Sequence, residues 1–469
     1  MKALLETGSS GRVPVPLKSD FLSIITFTTL LAMVAFSAMV NFLRADAPRF
    51  LDEIKMVDEG MVADNGLRFT KYQFGPRITP HGDCIKVYGG YIFVTWYRGG
   101  MDDRHVMLSR KKIGGDTWRH IEFPHQHVMF RRDRTKGDSH NRIAVGISPK
   151  DDTIHLIYDL HAYTPSDFPD DYFNYSYSKK GAALVPDSEW TIDLFHPKQT
   201  YLEKKYVDEN PRYYWRISYP VFFTADDGDL IVRWRIGGHT NATMYLTKYD
   251  GESWSPSHKW NDFERTSGVY PVFGIYNGRM AAVWHRRKSS DHDLGYIHNR
   301  GLYFGYSKSG DGLSDWYTYD GTKVGFPITE QEPFLIADPS NPGQRARQRQ
   351  FVITESGAFH AHLQVNGHVK HYYSASIGEE LQVSDGGPDE TMYAIGDRVY
   401  SISLEDGRPV IMSTEEGAHN WREEYRDTSG KRYFYGNSVM VDGSIFYYLM
   451  ERGSGDKLPI RVLRFDIVE

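Results

Sequence analysis

The sequence predicts an all-β fold, a seven-bladed β-propeller, and three observations support this. After Pro48 the chain shows short apolar-alternating runs separated by turns rich in Gly, Asp and Asn, with no long run of helical periodicity. Aromatic residues, which favour strands, are abundant, with 32 Tyr, 25 Phe and 10 Trp. A strand-loop-strand unit recurs along the chain at the uneven spacing that is typical of propeller blades with inserted loops.

The repeated unit is a Gly or Asp turn, an apolar-alternating strand, a loop and a second strand. The predicted pairs are GYIFVTWY with HVMLSR, DTIHLIYD with YFNYSYS, GDLIVRWR with TMYLTK, GRMAAVWH with GLYFGYS, GAFHAHLQ with VKHYYS, GDRVYSIS with PVIMST, and GSIFYYLM with IRVLRF. The element SYPVFF at 218–223 recurs as VYPVFG at 269–274, which indicates the same strand in consecutive blades. Spacing alone also leaves open a two-sheet sandwich or a pair of smaller β-domains.

Several second strands run into a polar turn that ends on tryptophan. These residues are Trp118, Trp254, Trp316 and Trp421. The turns resemble degenerate Asp-box turns, in which a Trp closes an acidic or polar turn and packs between blades. We therefore predict a packing role for these side chains.

Composition excludes several function classes. The net charge is only −6 and no long Lys/Arg run is present, so nucleic acid is not an expected partner. Cys84 is the single cysteine, which rules out an intrachain disulfide and a zinc ribbon. The sequence shows no nucleophile elbow, P-loop, HExxH or dinucleotide-binding glycine pattern. No pair of carboxylates stands out at strand ends, which weakens a glycoside-hydrolase interpretation.

A charge-free apolar segment, Phe21–Leu43, is long enough to cross a bilayer and follows three basic residues. The small-residue sequence RADA comes directly after it, as at a cleavage site. We interpret residues 1–48 as a signal peptide or membrane anchor and 49–469 as the propeller domain. The domain is expected to be secreted, periplasmic or anchored at the cell surface, with membrane contact only through this segment if it is not cleaved.

Four polar side chains stand at predicted strand ends, where a propeller gathers residues from distant parts of the sequence. His140 precedes the strands of the second predicted blade, and His161 follows the first of them. Tyr219 stands before Pro220, and Arg235 lies at the exit of the next strand, followed by two glycines. Two imidazoles, a phenol and a guanidinium at neighbouring strand ends form a usable active-site set.

This set suits β-elimination on a uronic acid. The reaction needs the C6 carboxylate neutralised, a base near the C5 proton and an acid for the C4 oxygen. A guanidinium can neutralise the carboxylate bidentately, and His and Tyr are suitable for the other two tasks. The residues therefore fit a lyase better than a hydrolase.

The motifs GDSHNRIAVGIS, TIHLIYDLHAY, YFNYSYSKKG, ISYPVFFTADDGDLIVRWRIGG and LTKYDGESW, in this order, resemble the seven-bladed propeller ulvan lyases and their wider family of BNR-type repeat proteins. The resemblance runs from about Gly82 to Trp316. It implies that residues 49–469 form a lyase domain that cleaves a sulfated, uronic-acid-containing polysaccharide by β-elimination and leaves a 4,5-unsaturated uronate.

The resemblance also implies residue roles. His140 and Tyr219 would share the base and acid roles, Arg235 would neutralise the carboxylate, and His161 would orient or polarise the same group. A tyrosine base requires a lowered pKa, and we expect the nearby guanidinium to lower it by stabilising the phenolate.

Further expectations concern the substrate, metals and assembly. Additional candidate substrate-binding residues are Asn141, Arg216, His239 and Tyr270. Relatives can hold a structural metal ion, for which the candidate ligands are His285, Asp291, His292 and His298. No cofactor is expected for the chemistry, the expected partner is an anionic polysaccharide, and the protein is expected to be a monomer.

Two alternatives stay open at this point. The Trp-closed turns would also suit a sialidase-like glycosidase, which needs three arginines on a carboxylate and a Tyr/Glu nucleophile pair. A non-catalytic propeller that binds polysaccharide at the cell surface would need no joint His140, Tyr219 and Arg235.

Overall fold

A computed structural model of the chain describes residues 53–68, 83–100, 103–133, 137–138, 140–238, 241–263, 267–288, 299–339, 346–388 and 390–468. Residues Glu53–Val468 form one compact unit. The apolar segment Phe21–Leu43 and the predicted boundary at residue 48 lie outside these ranges. Within the ranges, no helix has the length and apolar character needed to cross a bilayer.

Strands make up most of the described chain. In order they are β1 (Glu53–Leu67), β2 (Ile85–Tyr88), β3 (Tyr91–Tyr97), β4 (His105–Lys112), β5 (Arg119–Gln126), β6 (Ile143–Ile147), β7 (Ile154–Tyr158), β8 (Asn174–Tyr177), β9 (Ile217–Thr224), β10 (Leu230–Ile236), β11 (Thr243–Tyr249), β12 (His258–Lys259), β13 (Ser267–Val269), β14 (Val272–Tyr276), β15 (Arg279–Lys288), β16 (Asn299–Ser307), β17 (Trp316–Tyr317), β18 (Lys323–Gly325), β19 (Leu335–Ala337), β20 (Ala346–Ile353), β21 (Phe359–Val365), β22 (His368–Ser374), β23 (Gln382–Asp385), β24 (Thr391–Ile395), β25 (Arg398–Glu405), β26 (Arg408–Glu415), β27 (Arg422–Arg426), β28 (Tyr433–Val441), β29 (Ser444–Glu451) and β30 (Lys457–Val468). The helices are α1 (Val128–Arg132) and α2 (Lys204–Glu209), with 3₁₀ turns at Ala182–Leu184, Asp187–Glu189, Ile192–Leu194 and Glu332–Phe334.

The strands form antiparallel sheets arranged in a ring. The four-stranded sheets are β2–β5, β9–β12, β20–β23, β24–β27, and β1 with β28–β30; β13–β19 form a larger sheet and β6–β8 a three-stranded one. First strands of successive sheets contact one another, β2 with β6, β6 with β9, β14 with β20 and β20 with β24, and β28 returns to β2. This arrangement confirms the all-β propeller.

The repeated unit read from the sequence corresponds to the middle strands of the sheets. The seven predicted pairs are the neighbouring antiparallel strands β3/β4, β7/β8, β10/β11, β15/β16, β21/β22, β25/β26 and β29/β30. The two copies of the Tyr-Pro element lie on β9 and on β13–β14, at the inner edges of consecutive sheets. Apart from the Tyr-Pro element, the inner and outer strands were not predicted, because most of them carry shorter or more exposed runs than the middle strands.

The core lies between the sheets, and the predicted tryptophans are part of it. Trp118, Trp254 and Trp316 are 8%, 2% and 0% exposed, and each packs among side chains of two neighbouring sheets. Trp316 meets the buried Trp260 edge to face, with ring centroids 5.4 Å apart. Trp421 is half-buried and packs against histidines of the preceding sheet. The predicted packing role is confirmed.

Strand β1 closes the ring by pairing with β30, the last strand of the chain, so that Glu53 stands opposite Val468. Glu59 of β1 is 1% exposed and accepts a hydrogen bond from Lys111 Nζ of β4 at 2.9 Å. The closing sheet is therefore tied to the next one by a buried ion pair as well as by apolar packing. Closure of this kind leaves no open edge between the first and last sheets.

Candidate active site

The four predicted catalytic residues come together at one end of two neighbouring sheets. His140 precedes β6, His161 follows β7, Tyr219 lies on β9 and Arg235 on β10. The two sheets are joined at this end, because His161 forms a β-bridge with Ser218 and the N–H of Ala162 donates to the carbonyl of Ile217 at 3.0 Å. The pairing places His161 beside the residue that precedes Tyr219.

A β-bulge aims the Tyr219 side chain. Along β9 and β10, Val221 stands opposite Arg233 and Ser218 opposite Arg235, so Tyr219 and Pro220 together face one residue of β10. Tyr219 has φ of 57°, a conformation that a tyrosine rarely adopts. Pro220 has no N–H to contribute to the ladder and is suited to a bulge. Such local strain at a strand end is typical of functional sites.

Asp138 holds both histidines and was not predicted from the sequence. The Nδ1 atom of His140 lies 2.6 Å from one carboxylate oxygen, and the Nδ1 atom of His161 lies 2.5 Å from the other. The backbone N–H of His140 also donates to Asp138, at 2.9 Å. The two imidazoles are stacked with centroids 4.3 Å apart. One buried carboxylate therefore fixes the orientation of two rings.

The state of Asp138 determines the tautomers of the histidines. Burial opposes ionisation of its carboxyl, but hydrogen bonds from His140 and His161 outweigh burial and hold its pKa well below the usual range. An ionised carboxylate can only accept hydrogen bonds, so both Nδ1 atoms carry protons. In an imidazole that carries its proton on Nδ1, Nε2 is the nitrogen that can accept a proton. Both histidines are prepared to act as bases through Nε2.

Tyr219 faces the histidine pair. Its ring centroid lies 5.8 Å from that of His140 and 6.0 Å from that of His161, edge to face in both cases. Burial raises the pKa of its phenol to about 12, and the nearby Arg235 guanidinium offsets only part of that rise. The expectation of a lowered tyrosine pKa is therefore wrong for the unliganded protein, because desolvation of the phenolate outweighs the neighbouring cations. Tyr219 holds its proton at neutral pH.

Arg235 lies between two tyrosine rings. Its guanidinium carbon is 4.7 Å from the centroid of Tyr219 and 4.6 Å from that of Tyr270. The residue is only 5% exposed, and its Nε and Nη1 atoms have no hydrogen-bond partner in the described part of the chain. A buried guanidinium with unsatisfied N–H groups is costly unless an anion completes it. The geometry suits a carboxylate ligand.

Two more arginines add positive charge beside Tyr219. The guanidinium of Arg142 lies 5.1 Å from the centroid of the Tyr219 ring. Arg233 donates from Nη1 to the carbonyl oxygen of Tyr219 at 3.3 Å. Burial lowers the pKa of Arg233 to about 9, and the neighbouring Arg142 and Arg235 add to this effect. The site is strongly electropositive and suited to an anionic substrate.

The remaining predicted substrate-binding residues have different positions. Asn141 is 1% exposed, and its amide nitrogen donates to Asp159 at 2.6 Å and to the Tyr163 hydroxyl at 3.0 Å. These hydrogen bonds anchor the loop that carries His140. Arg216 is exposed, with its backbone N–H bonded to Tyr163. Tyr270 contacts Arg235 as described. His239 lies outside the described residues.

Metal-binding potential differs between the predicted cluster and the site. Of the predicted ligands only His285 is described; it is buried and stacks on Tyr270, while Asp291, His292 and His298 lie outside the described residues. Within the described ranges, one group has ligand atoms close enough to hold a metal ion, namely Asp138, His140 and His161. Its hydrogen-bond geometry is equally that of a carboxylate bridging two imidazoles.

Comparisons with known proteins agree with the geometry. A family model described as "BNR repeat-containing family member" matches residues 91–384. The long isoform of ulvan lyase from Alteromonas sp is 32% identical over 95% of this chain and 49% of that protein. The short isoform from Alteromonas sp. (strain LOR) is 30% identical over 84% of each.

One solved structure extends the agreement to the fold. The crystal structure of the polysaccharide lyase Uly1 has a TM-score of 0.80 to this chain at 29% identity, over 88% of this chain and 99% of that one. The chain spans about half the length of the long-isoform relatives. The resemblance seen in the sequence motifs is confirmed, and this chain belongs to the ulvan lyase family of BNR repeat-containing proteins.

Proposed function

We propose that this protein is a polysaccharide lyase that cleaves a sulfated, uronic-acid-containing polysaccharide of the ulvan type by β-elimination. The observation that carries the proposal is the histidine pair bound to Asp138, facing a protonated Tyr219 beside the unsatisfied guanidinium of Arg235. The names of the relatives, ulvan lyase and polysaccharide lyase, support the same reaction. Elimination would leave a 4,5-unsaturated uronate at the new chain end.

The reaction begins at the uronate carboxylate. Arg235 pairs with this group and stabilises the negative charge that builds up on it when the C5 proton leaves. His140 takes that proton on Nε2, and the imidazolium that forms is stabilised by the Asp138 carboxylate at Nδ1. His161, held by the same Asp138 carboxylate, orients or polarises the uronate carboxylate from the adjacent position.

The leaving group departs with help from Tyr219. The electron pair of the C5–H bond forms the C4=C5 double bond, and the C4–O bond breaks. Tyr219 gives its proton to the departing C4 oxygen, which becomes the hydroxyl of the neighbouring sugar. The phenolate left behind is stabilised by Arg235, whose guanidinium lies over its ring. A proton returned from His140 or solvent restores the starting state.

The site residues favour this chemistry over the alternatives. A lectin would not need two tautomer-fixed imidazoles opposite a buried phenol. A sialidase-like glycosidase would need a carboxylate partner on its tyrosine. In the described chain, the ring of Tyr219 is instead contacted by the side chains of His140, His161, Arg142 and Arg235. The reaction requires no cofactor, and any bound metal ion would be structural.

The finer architecture follows the same proposal. The three-stranded sheet β6–β8 serves as a seventh blade, because Phe195 and Gln199 form β-bridges to Ser178 and Tyr175 at its outer edge. Residues 1–48 act as a signal peptide or anchor, and 49–469 form the lyase domain. The domain is a monomer and acts outside the cytoplasm, where it would encounter an algal polysaccharide.

Substitution of the site residues tests the proposal. The protein is incubated with ulvan, and the ultraviolet absorbance of unsaturated uronate is followed for the parent, His140→Ala and Tyr219→Phe. The parent should produce the absorbance, and each variant should lose roughly 10²- to 10⁴-fold in rate. His368→Ala, an exposed histidine on β22, is the matched control and should keep full activity. A folded parent without product on ulvan and on other uronate polymers would leave the binding propeller as the better interpretation.

A further inference from the structure

Two guanidiniums share the ring of Tyr219, and the proposed elimination requires only one of them on the uronate. Arg142 lies 5.1 Å and Arg235 4.7 Å from the ring centroid. Neither side chain donates a hydrogen bond or forms an ion pair within the described ranges, and the Nε atom of each is buried without a partner. Arg142 is partly exposed, but it shares with Arg235 a buried Nε atom that has no partner among the described residues.

Among the described residues, the carboxylates near Arg142 already have other partners. Asp83, whose charge acts on Arg142, already accepts hydrogen bonds from Lys86 Nζ at 2.5 Å and from the backbone N–H of Phe222 at 2.7 Å. Asp138 is occupied by His140 and His161. A partly exposed guanidinium that no described carboxylate pairs, two residues from the proposed base, is suited to bind a ligand anion.

The two arginines have different aromatic neighbours. Arg235 lies between the rings of Tyr219 and Tyr270, whereas Arg142 contacts Tyr219 and not Tyr270. Arg142 belongs to the loop that carries His140, two residues further along, and this loop is held from below by Asn141 and Asp159. This loop therefore places Arg142 next to His140, the proposed base, while Arg235 remains available for the uronate carboxylate.

We propose that Arg142 binds a second oxyanion of the substrate, a sulfate ester on the sugar next to the uronate. This inference rests on the proposed function and adds a specificity residue to it. A guanidinium is always charged and presents a planar fork of N–H donors that matches the oxygens of a sulfate, which lysine cannot reproduce. Arg142 would select sulfated polymer, while Arg235 serves the reacting uronate.

Kinetics on native and chemically desulfated ulvan test this assignment. With native ulvan, Arg142→Gln should raise KM about tenfold and leave kcat within about twofold, since it removes binding that is equal in ground and transition states. Arg142→Lys should recover only part of the loss. With desulfated ulvan, parent and Arg142→Gln should have equal KM values. Arg119→Gln, an exposed arginine on β5, is the matched control and should change neither constant.

Two results would overturn the assignment. An equal rise in KM on native and desulfated ulvan would mean that Arg142 shares the uronate carboxylate with Arg235. A fall in kcat with unchanged KM would mean that Arg142 acts on Tyr219 and not on the substrate. Calorimetric titration of parent and Arg142→Gln with a sulfated ulvan oligosaccharide separates this inference from the proposed reaction. Weaker binding by the variant supports the sulfate contact even if no elimination is detected. Equal binding by parent and variant contradicts it.

Discussion

Raising the pH tests the role of Tyr219 as a proton donor. Burial raises the pKa of its phenol from an ordinary 10 to about 12, with Arg235 offsetting only part of the rise. At about pH 10, roughly half of an ordinary tyrosine would be ionised, against about 1% of Tyr219. The difference favours the phenol by about 3 kcal/mol. Activity that depends on this proton should therefore persist well into the alkaline range.

The assay is the pH dependence of kcat/KM for formation of unsaturated uronate, measured from about pH 7 to about pH 11. Because kcat/KM reports groups of the free enzyme, the alkaline side should stay flat through about pH 10. The kcat profile should decline no earlier, since a substrate carboxylate bound to Arg235 reduces the stabilisation of the phenolate. Circular dichroism at each pH monitors folding.

A decline centred at or below pH 10 in a folded protein would refute this reasoning. Tyr219 would then lose its proton at a pH where its raised pKa should keep it protonated. A tyrosine base with a lowered pKa would be the better interpretation. The inference that burial outweighs the neighbouring cations would also be wrong.

Two other substitutions probe histidines. The Asp138→Asn variant offers one acceptor oxygen to two Nδ1 donors, so one imidazole must change tautomer. We expect the rate to fall roughly 10²- to 10⁴-fold at unchanged thermal stability. Activity within about threefold of the parent would contradict the bridging role of Asp138. His362 is fully buried and has no hydrogen-bond partner among the described residues, and burial lowers its pKa to about 3. The unfolded chain therefore binds the proton first, and stability is lost as pH falls below about 6.5. His362→Leu should remove about 2 kcal/mol of the stability loss between pH 7 and 5, seen by calorimetry as a midpoint difference of roughly 2 °C, whereas the exposed His368→Leu should remove none.

The middle strands were predictable because they are buried on both faces. Runs such as GYIFVTWY and GSIFYYLM carry their own signal, and the predicted pairs match β3/β4 and β29/β30. The inner strands β2 and β6 have only four and five residues, too few for a periodicity to mark them. The residues His140, His161, Tyr219 and Arg235 were found through motifs, and their proximity depends on a bridge between two sheets that spacing does not reveal.

Asp138 and Arg142 were missed for physical reasons. Asp138 stands two residues before His140, a spacing that suggests only a local turn, and its contact with His161 arises from how two loops meet. Arg142 follows His140 and Asn141 like any charged residue at a strand entrance, and its missing acceptor is visible only in three dimensions. The direction of the Tyr219 pKa depends on the depth of burial, which the sequence does not report.

The pairing of β1 with β30 has a consequence for biosynthesis. Arg461 on β30 donates to Asp58 on β1 across 403 residues of sequence, so the sheet that closes the ring waits for a strand translated after all other described strands. Until then β1 presents unpaired backbone groups that can recruit strands of other chains. The sheets that carry His140 and Tyr219 are synthesised earlier, so these two sheets can form before the ring is closed. Late, long-range closure makes assembly slow and places the main risk of aggregation in the interval before β30 arrives.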